Sequence, residues 1–162
     1  MAITACSTPH PVASQSATTT TTFIIVRHAE KGTDDKKDPP LSDIGLLRAE
    51  RLAARLADEP LVASYATDYR RTRQTAAPAA EAHGIMVTVY DAQLPATALV
   101  SQLRKAHMHG TVLLVGHSNT VPEIVAALSG TVVPAMADDE FDRLYRIDLK
   151  ANGETTLHQD QY

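Results

Sequence analysis

Short apolar, β-branched runs alternate along the chain with longer stretches in which apolar residues recur every three or four positions. Residues 22–26, Thr-Phe-Ile-Ile-Val, read as a strand buried on both faces. Residues 40–57 predict a helix, with Ser42 as its N-cap and Leu46, Ala49, Ala53 and Leu56 at helical spacing. A second strand is expected at 61–66 and a helix at 70–83, with Gly84 as its stop signal. A third strand at 85–90 and a helix at 95–107 follow. Residues 111–115 repeat the fully apolar strand pattern, 121–128 predict a short helix, and 143–149 with 154–158 suggest a terminal hairpin around Asn152-Gly153. Strand, helix, strand, helix implies parallel pairing, and right-handed crossovers place helices on both faces. The expected fold is α/β, a three-layer αβα sandwich around a mostly parallel central sheet.

Residues 1–21 break this pattern, being rich in Thr, Ser, Ala and Pro with too little apolar content to pack. They are expected to form a disordered tail ahead of one domain at 22–162. Within the tail, Ile3-Thr4-Ala5-Cys6-Ser7 resembles the end of a bacterial lipoprotein signal, in which small residues precede a lipidated cysteine. No basic and apolar segment precedes it in this sequence. Two readings stay open: a lipid anchor through Cys6 that holds the protein at the bacterial cell envelope as a periplasmic lipoprotein, or a free thiol on a cytoplasmic protein. The long polar tail favours the envelope.

Composition narrows the function classes. With 162 residues, 44% of them hydrophobic, the chain suffices for one core. The net charge of −4 supplies no global positive field, so no nucleic-acid partner is expected and an anion site has to be local. Cys6 is the single cysteine, which excludes an intramolecular disulfide and cysteine-rich zinc patterns. No run of 18 or more apolar residues offers a spanning helix.

In folds of this class ligands bind beyond the carboxyl ends of the strands. Arg27-His28 follows the first strand, Thr67-Asp68-Tyr69-Arg70-Arg71 the second, and Gly116-His117-Ser118-Asn119 the fourth. Two histidines and several arginines gathered at one sheet edge, near helix N-termini, suit a tetrahedral anion, and phosphate is the leading one. A neutral imidazole whose other nitrogen is fixed by a hydrogen bond is a good nucleophile, a role His28 can fill. Arg27 and Arg71 offer guanidinium forks for the three phosphoryl oxygens, and His117 a further donor. Arg73 reads as a solvated helix face, with Arg70 ambiguous. His107 and His109, at a helix end, are given no catalytic role.

The segments Arg27-His28-Ala29-Glu30, Thr67-Asp68-Tyr69-Arg70-Arg71-Thr72-Arg73-Gln74-Thr75-Ala76 and Gly116-His117-Ser118-Asn119 resemble, in order and spacing, the three motifs of the histidine phosphatase superfamily, also called phosphoglycerate mutase-like. The resemblance covers most of the chain after the tail. It implies that His28 is the phosphorylated nucleophile, that Arg27, Arg71 and His117 bind the phosphoryl group, and that Asn119 adds a hydrogen bond. It implies neither cofactor nor metal.

This sequence departs from the family pattern at several points. Ala29 replaces the glycine that usually follows the histidine, and its methyl is expected to narrow the pocket slightly. Asp91 stands near the place where the mutase branch has a glutamate general acid, with Glu30 as a second candidate, although Asp91 could equally cap the turn before the next helix. Ser118 occupies the place of an acidic residue in the acid phosphatase branch. The leading expectation is a metal-independent phosphatase acting through a phosphohistidine on small phosphorylated substrates or phosphoprotein. A phosphoglycerate-type mutase, disfavoured by the short connections, and a weakly catalytic phosphate or phosphopeptide binder are the alternatives. Substrate choice falls to residues 31–38, 93–97 and 131–141, the last of which is acidic and would disfavour highly anionic substrates if it lay at the mouth.

Overall fold

The computed structural model describes residues 20–162, so Cys6 and nearly all of the predicted tail lie outside the described residues. The elements run β1 (Thr20–Arg27), α1 (Asp43–Arg55), β2 (Leu61–Thr67), α2 (Arg70–Ala82), β3 (Val87–Tyr90), α3 (Ala96–Ala106), β4 (Gly110–Gly116), α4 (Thr120–Ser129), β5 (Arg143–Lys150) and β6 (Thr155–Gln161). They form a six-stranded sheet in the order β3-β2-β4-β1-β5-β6. β3, β2, β4 and β1 pair in parallel, while β5 and β6 add antiparallel at the β1 edge. The expected mostly parallel α/β sandwich is the fold observed.

Alternation along the central strands builds two cores. Phe23 and Ile25 of β1, with Val112 and Leu114 of β4, pack on one face against Leu99, Leu103, Val121, Ile124 and Leu128 of α3 and α4. Ile24 and Val26, with Leu113 and Val115, face Leu52, Leu56, Ala76 and Ala79 from the α1–α2 side. Both faces are covered, so continuous apolar runs were needed where a one-sided sheet would show alternating polarity.

Three details differ from the sequence-based expectation. β1 starts at Thr20, because Thr20 and Thr21 extend the pairing to Lys150 and Leu149 and the Thr21 hydroxyl donates to the His107 carbonyl at 3.2 Å. β3 starts at Val87 because residues 84 and 85 still belong to the end of α2. There Gly84 takes φ +66°, its N–H bonds Glu81 O, and the Ile85 N–H bonds Ala80 O, the two bonds of a Schellman cap. The buried face of α1 is Gly45, Ala49, Leu52 and Ala53, whereas Leu46 is exposed.

Gly45 explains that rotation. Ser42 caps α1 as expected, accepting from the Gly45 N–H at 3.1 Å, and the Ser42 N–H donates to the Glu30 carbonyl at 2.9 Å. This brings the first turn of α1 onto the backbone of Glu30, leaving no room for a side chain at Gly45: a Cβ there would collide with the Glu30 carbonyl. Gly45→Ala is expected to destabilise the protein by about 1–3 kcal/mol in urea unfolding. Because the displaced backbone lies two residues from His28, it should also shift that histidine, read as a change in its imidazole resonances.

Candidate active site

Parallel pairing sets Arg27 of β1 opposite Gly116 of β4, and Ala66 of β2 opposite Val115, so three strands end at one level. The chain then turns out of the sheet, and the His28 N–H donates to the Gly116 carbonyl at 2.9 Å. The rings of His28 and His117 meet edge to face with centroids 5.4 Å apart. They line a cleft of about 380 Å³ together with Arg27, Lys31, Tyr69, Arg71, Gln93, Ser118, Asn119 and Asp138. Five of the residues singled out from the sequence, Arg27, His28, Arg71, His117 and Asn119, thus share one cleft.

Hydrogen bonds define which atoms are free. His28 Nδ1 lies 2.8 Å from the carbonyl oxygen of Ala29. A carbonyl only accepts, so Nδ1 carries the proton and the neutral ring keeps its lone pair on Nε2, which makes no hydrogen bond among the described residues. Burial lowers the His28 pKa to about 3 against the opposing effect of that hydrogen bond, and His117, Arg71 and Arg27 each add a smaller lowering. Burial with Arg71 and Arg27 lowers that of His117 to about 4. Both rings are therefore neutral near pH 7. His117 Nε2 is held by the Thr67 hydroxyl at 2.8 Å, and Nδ1 has no partner among the described residues.

The guanidinium groups are fixed from different directions. Arg27 is buried, and its Nη1 donates to the carbonyls of Ala137 at 2.8 Å and Glu140 at 2.9 Å while its plane stacks 4.2 Å from the Phe141 ring. Burial pulls the Arg27 pKa down, and Asp138, Glu140 and Asp139 counteract it. Its Nε is buried without a hydrogen-bond partner among the described residues. Arg71, the second residue of α2, lies over the Tyr69 ring at 4.3 Å with Nη1 3.8 Å from Asp38 Oδ1. The Asp38 carboxylate also caps α2 by accepting the Arg70 N–H at 3.0 Å. As expected, Arg73 points outward, paired with Asp68 at 3.1 Å; Arg70 is exposed too.

Residues not singled out from the sequence wire the motifs together. Thr75 is buried in α2, accepts the Ala29 N–H at 2.9 Å and donates to Arg71 O at 2.7 Å, so it joins the segment after β1 to the one carrying Arg71. Gln74 accepts the Leu41 N–H at 2.8 Å. Thr72, also buried, contacts the Thr67 hydroxyl at 3.0 Å. The available signal was a run of threonines on the otherwise apolar face of a helix.

Three expectations require correction. Glu30 does not reach the cleft: its carboxylate takes both Nε and Nη2 of Arg48 at 2.7–3.0 Å on the outer side of α1. Asp91 does not line the cleft either; its Oδ1 accepts the Gln93 N–H at 2.8 Å and its side chain borders a separate cavity with Tyr65 and Leu103, so it serves the turn. Ala29 does not narrow the pocket, because its methyl packs with Leu41 and Ala49 away from it. The acidic stretch at 131–141 does reach the mouth, through Asp138.

The sequence model of the histidine phosphatase superfamily, branch 1, matches residues 23–95. Over those residues, which hold Arg27, His28 and Arg71, the chain is similar to that superfamily. No curated protein matches it. Solved structures with the histidine phosphatase fold superpose over nearly their whole length. The protein histidine phosphatase SixA complexed with tungstate has a TM-score of 0.68 at 19% identity, covering 86% of this chain and 96% of that one. A mycobacterial glucosyl-3-phosphoglycerate phosphatase gives 0.67 at 16% identity, covering 88% and 98%. A phosphoglycerate mutase from Bacillus anthracis gives 0.67 at 14% identity, covering 88% and 93%. At such identities the likeness speaks for the fold.

The two depressed histidines generate a prediction for stability. Folded, they stay neutral down to about 3 and about 4; unfolded, they protonate near 6.5. Between these values the unfolded chain binds more protons, so stability is lost as pH falls from about 6.5 toward 4. Urea midpoints should drop over that range, less steeply in His117→Asn, and the imidazole resonances of His28 and His117 should not titrate between pH 5 and 8.

Proposed function

We propose that this protein is a phosphatase that passes a phosphoryl group through His28 Nε2. The observation that carries the reading is the bond from His28 Nδ1 to Ala29 O, which leaves a neutral ring with a bare Nε2 at a cleft flanked by two guanidinium groups. Arg27 and Arg71 would hold the phosphoryl oxygens, with the Nδ1 edge of His117 and the Asn119 side chain beside them, and the guanidinium charge would stabilise the transferring group. Nε2 attacks phosphorus, the leaving group departs, and water releases phosphate from the phosphohistidine. No step calls for a metal ion.

The substrate would be a small phosphorylated metabolite or a phosphorylated side chain of a protein; the names of the structural neighbours include both kinds. The test is hydrolysis of para-nitrophenyl phosphate in EDTA. Turnover should persist in EDTA, fall with vanadate and vanish in His28→Ala. Arg71→Ala should lose about 100-fold or more in kcat/KM. Activity unchanged by His28→Ala would overturn the mechanism, and vanadate binding without turnover would identify a binder instead.

A further inference from the structure

A phosphomonoester with an alcohol leaving group needs a proton donor. Neither carboxylate indicated by the sequence can be one, since Glu30 is committed to Arg48 and Asp91 to the turn at Gln93. The cleft nevertheless has one acidic side chain in its wall, Asp138.

Its position is built rather than incidental. Residues 137–140 form a closed turn in which the Glu140 N–H donates to Ala137 O at 3.1 Å and the Ala137 N–H to Glu140 Oε2 at 3.2 Å. Arg143 holds the Glu140 carboxylate from behind. Arg27 Nη1 grips the carbonyls at both ends of the turn, at 2.8 and 2.9 Å, so the residue adjoining His28 in sequence fixes the turn's corner at the cleft. Asp138 stands at that corner and acts on the Arg27 charge more strongly than Glu140 or Asp139 does. Its carboxylate makes no hydrogen bond or ion pair among the described residues, and Asp139, the other corner residue, does not line the cleft.

Resting on the phosphatase reading above, we propose that Asp138 is the general acid and base of the reaction. In the first half, the Nε2 lone pair of His28 forms the N–P bond, the P–O bond breaks, and the departing oxygen keeps the electron pair and takes the proton of the Asp138 carboxyl. In the second half, water attacks phosphorus and gives a proton to the Asp138 carboxylate, while the P–N electrons return to Nε2. Ester and water become alcohol and phosphate, with both residues restored.

The leaving group provides the test, because protonation matters for an alcohol and little for para-nitrophenolate. Asp138→Asn should lose about 100-fold or more in kcat/KM on an alkyl phosphate such as glycerol 2-phosphate and less than about 10-fold on para-nitrophenyl phosphate. Asp139→Asn, which removes the same charge next door, should stay within about 2-fold on both. Equal losses of Asp138→Asn on the two substrates, no loss on either, or matching losses in Asp139→Asn would overturn the assignment while leaving a His28-dependent phosphatase standing. Hydrolysis that survives His28→Ala would instead remove the phosphatase reading and this proposal with it.

Discussion

The pairing of β1 with β4 is the constraint on which the site depends. It runs in parallel without a break from Thr21 opposite Gly110 to Arg27 opposite Gly116, and the ladder ends where the chemistry begins. The next bond, from the His28 N–H to Gly116 O, fixes the nucleophile candidate one step beyond the sheet. β2, on the other side of β4, brings the Thr67 hydroxyl that holds His117. A slip of one residue would turn Phe23 and Ile25 toward α1 and α2 and turn Ile24 and Val26 toward α3 and α4, breaking both cores together. The hydrophobic pattern that stabilises the fold therefore also sets the spacing of the two rings.

Around that fixed point the protein concentrates positive charge while keeping the imidazoles uncharged. A buried guanidinium is costly unless its donors are satisfied, and Arg27 meets the cost with two carbonyls from a turn more than a hundred residues away and with the face of Phe141. Arg71 instead comes from the first turn of α2 and is steadied by Tyr69 and Asp38. The same two cations, together with burial, hold His28 and His117 neutral. Oriented positive groups and an available lone pair thus face one cleft, the arrangement on which the proposed reaction rests.

Legibility in the sequence followed the range of the interactions. Strands, helices, the Ser42 cap and the Gly84 stop are local or periodic signals, and their observed places lie within a few residues of those expected. Arg27, His28, Arg71, His117 and Asn119 could be gathered in advance because each follows a recognisable strand in a fold whose strand ends converge. Carboxylates had no such guide. Glu30 is claimed by Arg48 only after α1 docks, Asp91 belongs to its own turn, and the turn that carries Asp138 is held at the cleft by Arg27 Nη1 bonding Ala137 O and Glu140 O, more than a hundred positions away. The face of α1 was misjudged at Leu46 for a related reason, since the close approach of Gly45 to Glu30 exists only in the folded chain.

The alanine at position 29 shows how a departure from a family pattern depends on direction as well as size. On leaving β1 the chain sends successive side chains different ways: His28 into the cleft, Ala29 into the small cluster with Leu41 and Ala49, and Glu30 out to Arg48. The added methyl is therefore absorbed by α1. Its backbone is held at both ends, because the N–H donates to Thr75 Oγ1 and the carbonyl accepts from His28 Nδ1. Glycine at this point would leave more backbone freedom in the residue whose carbonyl sets the His28 tautomer. A packed methyl removes that freedom, so the substitution reinforces the geometry that keeps the Nε2 lone pair available.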